Sequence, residues 1–355
     1  MIPRVCRRLF IAALIAAGAC AAPATTSAAR PERIVAIGDL HGDHGAWSAI
    51  ARAAGLVDGN GHWAAGRTVF VQTGDVVDRG PDSLKIIHDL QRLQHEAVGE
   101  GGRVVTLVGN HEAMNMTGDL RYVTAGEYHA FVDQDSERRR EAFYSANRVT
   151  IEATVRKGNA SLSSKSIREA WIRKIPLGWV EHRASWAPDG EVGRWVSGND
   201  AVALIGDTLF VHGGISPAYA NLPSAEINRR VREALMMQST ARNAIINDPL
   251  GPLWYRGLVS PQLQSQDDSP DGAASAQVAL GPDEQLDLVL KGYGAKRMVV
   301  GHTPILAGIS IRHDGRLICI DTGDSRYYGG ALSYLEIIGD RLIPHKVPRP
   351  AVAKE

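Results

Sequence analysis

The sequence predicts an α/β protein, on three observations. Short runs rich in β-branched and apolar residues, such as Thr68 to Val71, recur along the chain and read as buried strands. Each is followed closely by a glycine, where the backbone can turn sharply. After one such turn, Leu84, Ile87, Leu90 and Leu93 recur at intervals of three, the stripe of an amphipathic helix, with Pro81 placed at its first position. A strand, a tight turn and a helix in succession put the turn residues at a strand end, where open α/β sheets carry their sites.

Taken in order, Ile34 to Ile37 lead into Gly38-Asp39-Leu40-His41-Gly42, and Thr68 to Val71 into Gly74-Asp75-Val76-Val77-Asp78-Arg79-Gly80. Arg103 to Val108 lead into Gly109-Asn110-His111-Glu112, Thr208 to Val211 into His212-Gly213-Gly214, and Arg297 to Val300 into Gly301-His302-Thr303. Two carboxylates and an arginine in the second turn suggest a metal with an anion, because unpaired charges packed so closely would repel. A capped turn with a surface ion pair explains that turn alone equally well. The repetition favours the metal: four of the twelve histidines fall at these strand ends.

Residues 1–29 read as a secretory signal peptide: Arg4, Arg7 and Arg8, an apolar run to about Ala19, then small residues. Arg7-Arg8-Leu9-Phe10-Ile11 also resembles a twin-arginine signal, the alternative being ordinary unfolded export. Cys20 after Ala17-Gly18-Ala19 is a poor lipidation site. The expected location is therefore periplasmic, with no integral membrane segment in the mature chain. Lys and Arg number 39 against 39 Asp and Glu, so losing the leader leaves a mildly acidic protein, which argues against nucleic acid as partner. Cys6 and Cys20 lie in the leader, leaving Cys319 as a lone core thiol and any metal site to N and O ligands. Residues 30–350 are expected to form one catalytic domain with a helical insertion at about 118–200. Helix-like stretches lie near Glu127 to Tyr144 and Ser164 to Ile175, the second closed by Pro176. Arg138-Arg139-Arg140, among acids, reads as a solvated face. Trp171, Trp179, Trp186 and Trp195 read as the insertion's own core rather than a cap over substrate. Residues 260–284 have the composition of a flexible loop.

Asp39, His41, Asp75, Asn110, His212 and His302 supply two carboxylates, one amide oxygen and three imidazoles, which suits two divalent cations sharing one carboxylate. Ligation without thiolate favours Mn²⁺, Fe²⁺ or Zn²⁺ over Ca²⁺ or a cluster. Two metals roughly 3.5–4 Å apart can hold a bridging hydroxide and clamp phosphoryl oxygens for in-line displacement. His111, next to a ligand, suits a general acid, Asp78 could orient its imidazole, and Arg79 is a fork-shaped phosphate donor. Glu112 reads as a brace for the turn, not a ligand.

The first three turns are the signatures of the phosphoprotein phosphatase (PPP) metallophosphoesterases, and His212-Gly213-Gly214 and Gly301-His302-Thr303 match the two remaining metal histidines in order. Gly251 to Gly257 and Asp321-Thr322-Gly323 through Tyr328-Gly329-Gly330 resemble the bacterial-type, Shewanella-like branch. The resemblance implies two packed mixed β-sheets flanked by helices, with a dinuclear metal site at the strand ends. It implies that Asp39, His41 and Asp75 hold one metal and Asp75, Asn110, His212 and His302 the other. It also implies that His111, held by Asp78, protonates the leaving group while Arg79, Arg256 and Asn110 grip the phosphate. The implied substrate is a phosphoprotein, phosphopeptide or small phosphate ester. The segment Asp321 to Gly330 departs from the eukaryotic inhibitor-binding loop, so eukaryotic regulatory partners are not expected. A diadenosine-polyphosphate or other nucleotide hydrolase shares the scaffold but usually lacks the aspartate at position 78. A non-catalytic phosphate-binding module would have lost a ligand or the acid, and none is lost here.

Overall fold

The structure is a computed structural model and describes residues 30–267 and 280–350. The signal-peptide reading of residues 1–29 lies outside the described residues. Ten strands are described: β1 (Ile34–Ile37), β2 (Val69–Gln72), β3 (Arg103–Thr106), β4 (Val202–Ile205), β5 (Thr208–Val211), β6 (Arg297–Val300), β7 (Ser310–Arg312), β8 (Leu317–Cys319), β9 (Ser333–Ile338) and β10 (Arg341–Lys346). They form two five-stranded sheets in the orders β10-β9-β1-β2-β3 and β4-β5-β6-β8-β7. In the first, β1, β2 and β3 run parallel and β9 antiparallel to β1; in the second, β5, β6 and β8 run parallel with antiparallel β4 and β7 at the edges. Both sheets are mixed, as the resemblance implies.

The apolar runs are continuous because both faces of the central strands are covered. Side chains alternate across a strand, and the two sets go to different layers. Ile34, Ala36, Val69, Val71, Phe210 and Val299 pack between the two sheets. Their neighbours Val35, Ile37, Phe70, Leu209, Val211 and Val300 belong to the larger core cluster, shared with helix residues. The first covering helices are α1 (His44–Ala53) and α2 (Ser83–Gly99), then α3 (Asn110–Thr117). Trp47 of α1 stacks on Phe70 with ring centroids 5.6 Å apart. Ile87, Leu90 and Leu93 of α2 are buried, as their spacing predicts, but the helix begins at Ser83, not Pro81.

Between Gly118 and Asp200 the chain is helical: α4 (Ala125–His129), α5 (Ser136–Gly158), α6 (Ser164–Lys174), α7 (Trp179–Ser185) and α8 (Glu191–Gly198). The expected helix from Glu127 to Tyr144 is broken. Asp133 accepts from the Asp135 N–H and Ser136 Oγ accepts from the Asp133 N–H, a local turn that competes with helix. Three of the arginines on α5 are engaged: Arg138 with Asp135, Arg139 with Asp133 and Glu181, Arg140 with the Ile175 carbonyl. The tryptophans divide. Trp171 and Trp179 pack on Phe143 within the insertion, while Trp186 and Trp195 join the main core. The remaining helices are α9 (Ser224–Met236), α10 (Pro261–Asp267) and α11 (Pro282–Tyr293), so part of the expected loop at 260–284 is helical. Cys319 is a buried free thiol that burial pushes up to about 11. Among the described residues no helix is long and apolar enough to cross a membrane.

Candidate metal centre and active site

The parallel strands β1, β2, β5 and β6 all end on one side, and their following turns converge there. Several turn residues adopt left-handed backbone: His41 (φ 43°), Asp75 (φ 54°), Asp78 (φ 69°), Arg79 (φ 68°) and His302 (φ 65°). For non-glycine residues this costs of order 1–3 kcal/mol each and persists only where surroundings impose it, a pattern that clusters at functional sites. The turns at Gly42 and Gly80 touch backbone to backbone. A Cβ on Gly80 would lie 2.5 Å from the Gly42 carbonyl, so only glycine permits the approach.

Asp75 is at the centre. Its Oδ1 lies 3.4 Å from His212 Nε2, and its Oδ2 lies 3.9 Å from His41 Nε2 and 3.8 Å from His111 Nε2. Two groups with metal-ligand geometry share this carboxylate: His41, Asp75 and His111, and Asp75, His212 and His302. Asn110 Oδ1 is 3.0 Å from His212 Nε2, which places it beside the second group. Asp39 stands further back: its Oδ2 is 4.0 Å from His41 Nε2, and both its oxygens accept from the His302 N–H at 3.1 Å. The structure thus brings all six expected ligands together, while geometry alone puts His111, rather than Asp39, within ligand distance of His41 and Asp75.

The donor set fits divalent metal. His41 Nδ1 meets the Val77 carbonyl at 3.0 Å and His212 Nδ1 the Thr73 carbonyl at 2.9 Å. Those contacts fix the Nδ1–H tautomer and turn the Nε2 lone pairs inward, the usual outer support of a metal-binding histidine. His302 Nε2 is buried with no hydrogen-bond partner. Burial lowers His41 to about 3, aided by His111, and lowers His302 well below its ordinary value, aided by Arg256. Unprotonated imidazoles therefore face a cluster of buried carboxylates. Burial and then Asp321 and Asp75 push Asp39 well up, burial and Asp75 push Glu112 up to about 7, and burial lifts Asp321 to about 6. Such crowded negative charge calls for a bound cation.

Glu112 braces the turn, as expected. It accepts from the Asp75 N–H (2.9 Å), the Val76 N–H (2.8 Å) and the Gly109 N–H (2.8 Å). His111 Nδ1 lies 2.6 Å from Asp78 Oδ2. Burial opposes protonation of His111, but Asp75 and Asp78 outweigh it and raise its pKa. Arg79 Nη2 sits 3.4 Å from His111 Nε2, and its guanidinium lies over the rings of Tyr122, Tyr327 and Tyr328 at 4.6, 5.0 and 5.0 Å. Above these groups opens a cleft of about 340 Å³ whose walls include Arg79, Arg256, Tyr122, Trp254 and Tyr328.

Three supporting residues have no role assigned from the sequence. Asn115 donates from Nδ2 to Asp78 Oδ1 (3.0 Å) and to the His111 carbonyl (3.0 Å); its position four after His111 on α3 was the available signal. Glu127 closes a capping box with Thr124, a pattern visible as Thr-x-x-Glu. Asp321 follows β8 at a strand end but lacks the directly flanking glycine of the ligand turns.

The calcineurin-like phosphoesterase family matches residues 32–306, and the chain belongs to it. The chain is similar to Shewanella-like protein phosphatase 2 of Arabidopsis thaliana, 33% identical over 84% of this chain and 72% of that protein. Solved structures of a cold-active protein tyrosine phosphatase and of the cold-active protein-tyrosine phosphatase of a psychrophile, Shewanella sp., share the fold. Their TM-scores are 0.63 and 0.61 at 24% and 22% identity, covering 88% and 89% of this chain and 75% and 80% of theirs. Within the family, the chain falls in the Shewanella-like branch of the phosphoprotein phosphatases and is a metal-dependent phosphoric monoester hydrolase.

Proposed function

We propose that the chain dephosphorylates proteins or peptides, phosphotyrosine in preference to phosphoserine or phosphothreonine. The observation that carries the preference is the cleft wall. Tyr122, Tyr328 and Trp254 stand beside Arg79 and Arg256, so an aryl phosphate meets aromatic faces where its ring would lie. The name of the Shewanella sp. neighbour supports the same reading. Asp39, His41 and Asp75 would hold one divalent ion, with Asp39 turning its carboxylate from the His302 N–H, and Asp75, Asn110, His212 and His302 would hold the other. When bound, such a pair supplies Lewis-acid polarisation of the phosphoryl group and an activated water. Arg79 and Arg256 bind the phosphate oxygens and orient the ester. His111 carries a proton on Nε2 and gives it to the leaving oxygen, while Asp78 keeps Nδ1 protonated and the ring in place. In the structure Arg79 Nη2 faces His111 Nε2, an arrangement that needs Nε2 as acceptor. Protonating Nε2 makes that contact repulsive, so the acid form of His111 requires the Arg79 guanidinium to face another acceptor, a role the phosphate oxygens fill.

A phosphopeptide panel on one backbone, assayed with the purified mature protein and defined metals, tests this. The aromatic contacts predict a kcat/KM about two- to tenfold higher on phosphotyrosine, since such contacts are worth about 0.5–1.5 kcal/mol. Equal or reversed rates would overturn the preference. Faster hydrolysis of diadenosine tetraphosphate than of any phosphopeptide would favour the nucleotide-hydrolase alternative instead.

A further inference from the structure

The turn that carries both metal and acid functions is held by two different glutamates. Its first half, Asp75 and Val76, hangs on Glu112. Its second half, Asp78 to Gly80, is held from the start of the helical insertion. The Asp78 N–H donates to Glu127 Oε1 at 2.9 Å and, at the longer distance of 3.2 Å, to Ser83 Oγ, which itself donates to Glu127; the Arg79 N–H donates to the Tyr122 carbonyl at 3.0 Å, and Thr124 Oγ1 donates to the Gly80 carbonyl at 3.2 Å. Gly126 packs so closely on Pro81 that a Cβ there would collide with the proline ring.

Glu127 is the centre of this contact. It is buried, and the groups that hydrogen-bond it are neutral donors: the Asp78 N–H, the Ser83 hydroxyl and the Thr124 N–H. No Lys or Arg pairs with it among the described residues. A buried carboxylate without a cationic partner is costly, and here it satisfies the backbone of a residue in left-handed conformation. We propose that the segment Asp119 to His129 is a brace that positions the general acid, with Glu127 as its anchoring residue. Asp78 Oδ1 is fixed by Asn115, and Oδ2 faces His111 Nδ1. Holding the Asp78 N–H and the Arg79 N–H keeps that carboxylate aimed. Losing them lets the turn relax and swings Oδ2 away from the imidazole. The metal half of the turn, tied to Glu112, stays where it is. Glu127 is thus a positioning residue that acts through Asp78, and the inference rests on His111 being the acid.

The test uses the full mature protein with both metals loaded. Glu127→Ala, Asp78→Asn, His111→Asn and the double variant Glu127→Ala/Asp78→Asn are assayed on a phosphoserine peptide and on 4-nitrophenyl phosphate, with metal content measured in each. Glu127→Ala is expected to cut phosphoserine turnover roughly tenfold more than aryl phosphate turnover, because only the poor leaving group needs the proton. It should keep both metals and add less than about twofold to the loss in Asp78→Asn, as expected for residues acting as a unit. Glu127→Asp keeps the carboxyl group but withdraws it by one carbon; it should show the same pattern at smaller size, and it decides the matter if the alanine variant does not fold. Equal losses on both esters, or a full additional loss on top of Asp78→Asn, would overturn the brace while leaving the acid intact. The absence of a leaving-group difference in His111→Asn would overturn the acid assignment and the brace with it.

Discussion

Asp75→Asn is expected to lose most of both bound metals and to lower turnover by roughly 10³-fold or more. The two-metal clamp contributes several kcal/mol of barrier lowering, and each 1.36 kcal/mol is a factor of ten. Asp75 is the one carboxylate common to both ligand groups, within 3.4 to 3.9 Å of the Nε2 atoms of His212, His111 and His41. Its Oδ1 also accepts from the His111 N–H at 2.9 Å, so the start of α3 depends on it as well. Asparagine keeps the size but removes the negative charge that three imidazoles surround. A terminal ligand such as His302 touches one group only, so His302→Asn should lose one ion and less activity. Elemental analysis beside kinetics checks the ordering, with thermal unfolding to confirm that each variant folds. An Asp75→Asn enzyme with both ions and more than a tenth of wild-type turnover would contradict the shared-carboxylate assignment.

His111→Asn should cost about 10²–10⁴-fold on a phosphoserine peptide, the usual range for general acid catalysis. On an aryl phosphate with an acidic phenol the loss should be much smaller, because that leaving group departs without a proton. Asp78→Asn should show the same dependence with a smaller loss, since it disturbs the imidazole without removing it. The short contact between His111 Nδ1 and Asp78 Oδ2, with Asn115 on the other carboxylate oxygen, is the geometry behind this. Metal content separates the two roles open to His111, whose Nε2 also lies within ligand distance of His41 and Asp75. Two ions retained in His111→Asn supports the acid. A lost ion, or equal losses on good and poor leaving groups, contradicts it.

Much of this site was legible because its residues are tied to strand ends. A strand buried on both faces reads as a continuous apolar run, and the polar residue beside the glycine at its end falls at the sheet's edge. Asp39, Asp75, Asn110, His212 and His302 are therefore assigned to one face of the fold by sequence. What the sequence hid are contacts made across long separations by ordinary-looking residues. Glu127 reads as a helix cap, and nothing local says that its other oxygen reaches Asp78 in a turn 49 residues earlier. The break between α4 and α5 was hidden for a related reason: Asp133 and Ser136 bond to local backbone and stop a helix that charge and periodicity alone would continue. Trp186 and Trp195 look like Trp171 and Trp179 in sequence but pack into the main core, because α8 lies against α9 and β4 follows it directly. Asp39 shows the opposite limit. Its motif is plain, yet in the structure its oxygens turn to the His302 N–H.

A two-ion centre built on Asp75 is tested by the metal content of the active wild-type protein. The purified protein at full specific activity should carry two divalent ions per molecule. Chelation should abolish hydrolysis, and refilling with a single defined metal should restore it. One ion or fewer at full activity, or undiminished hydrolysis after complete removal, would contradict it.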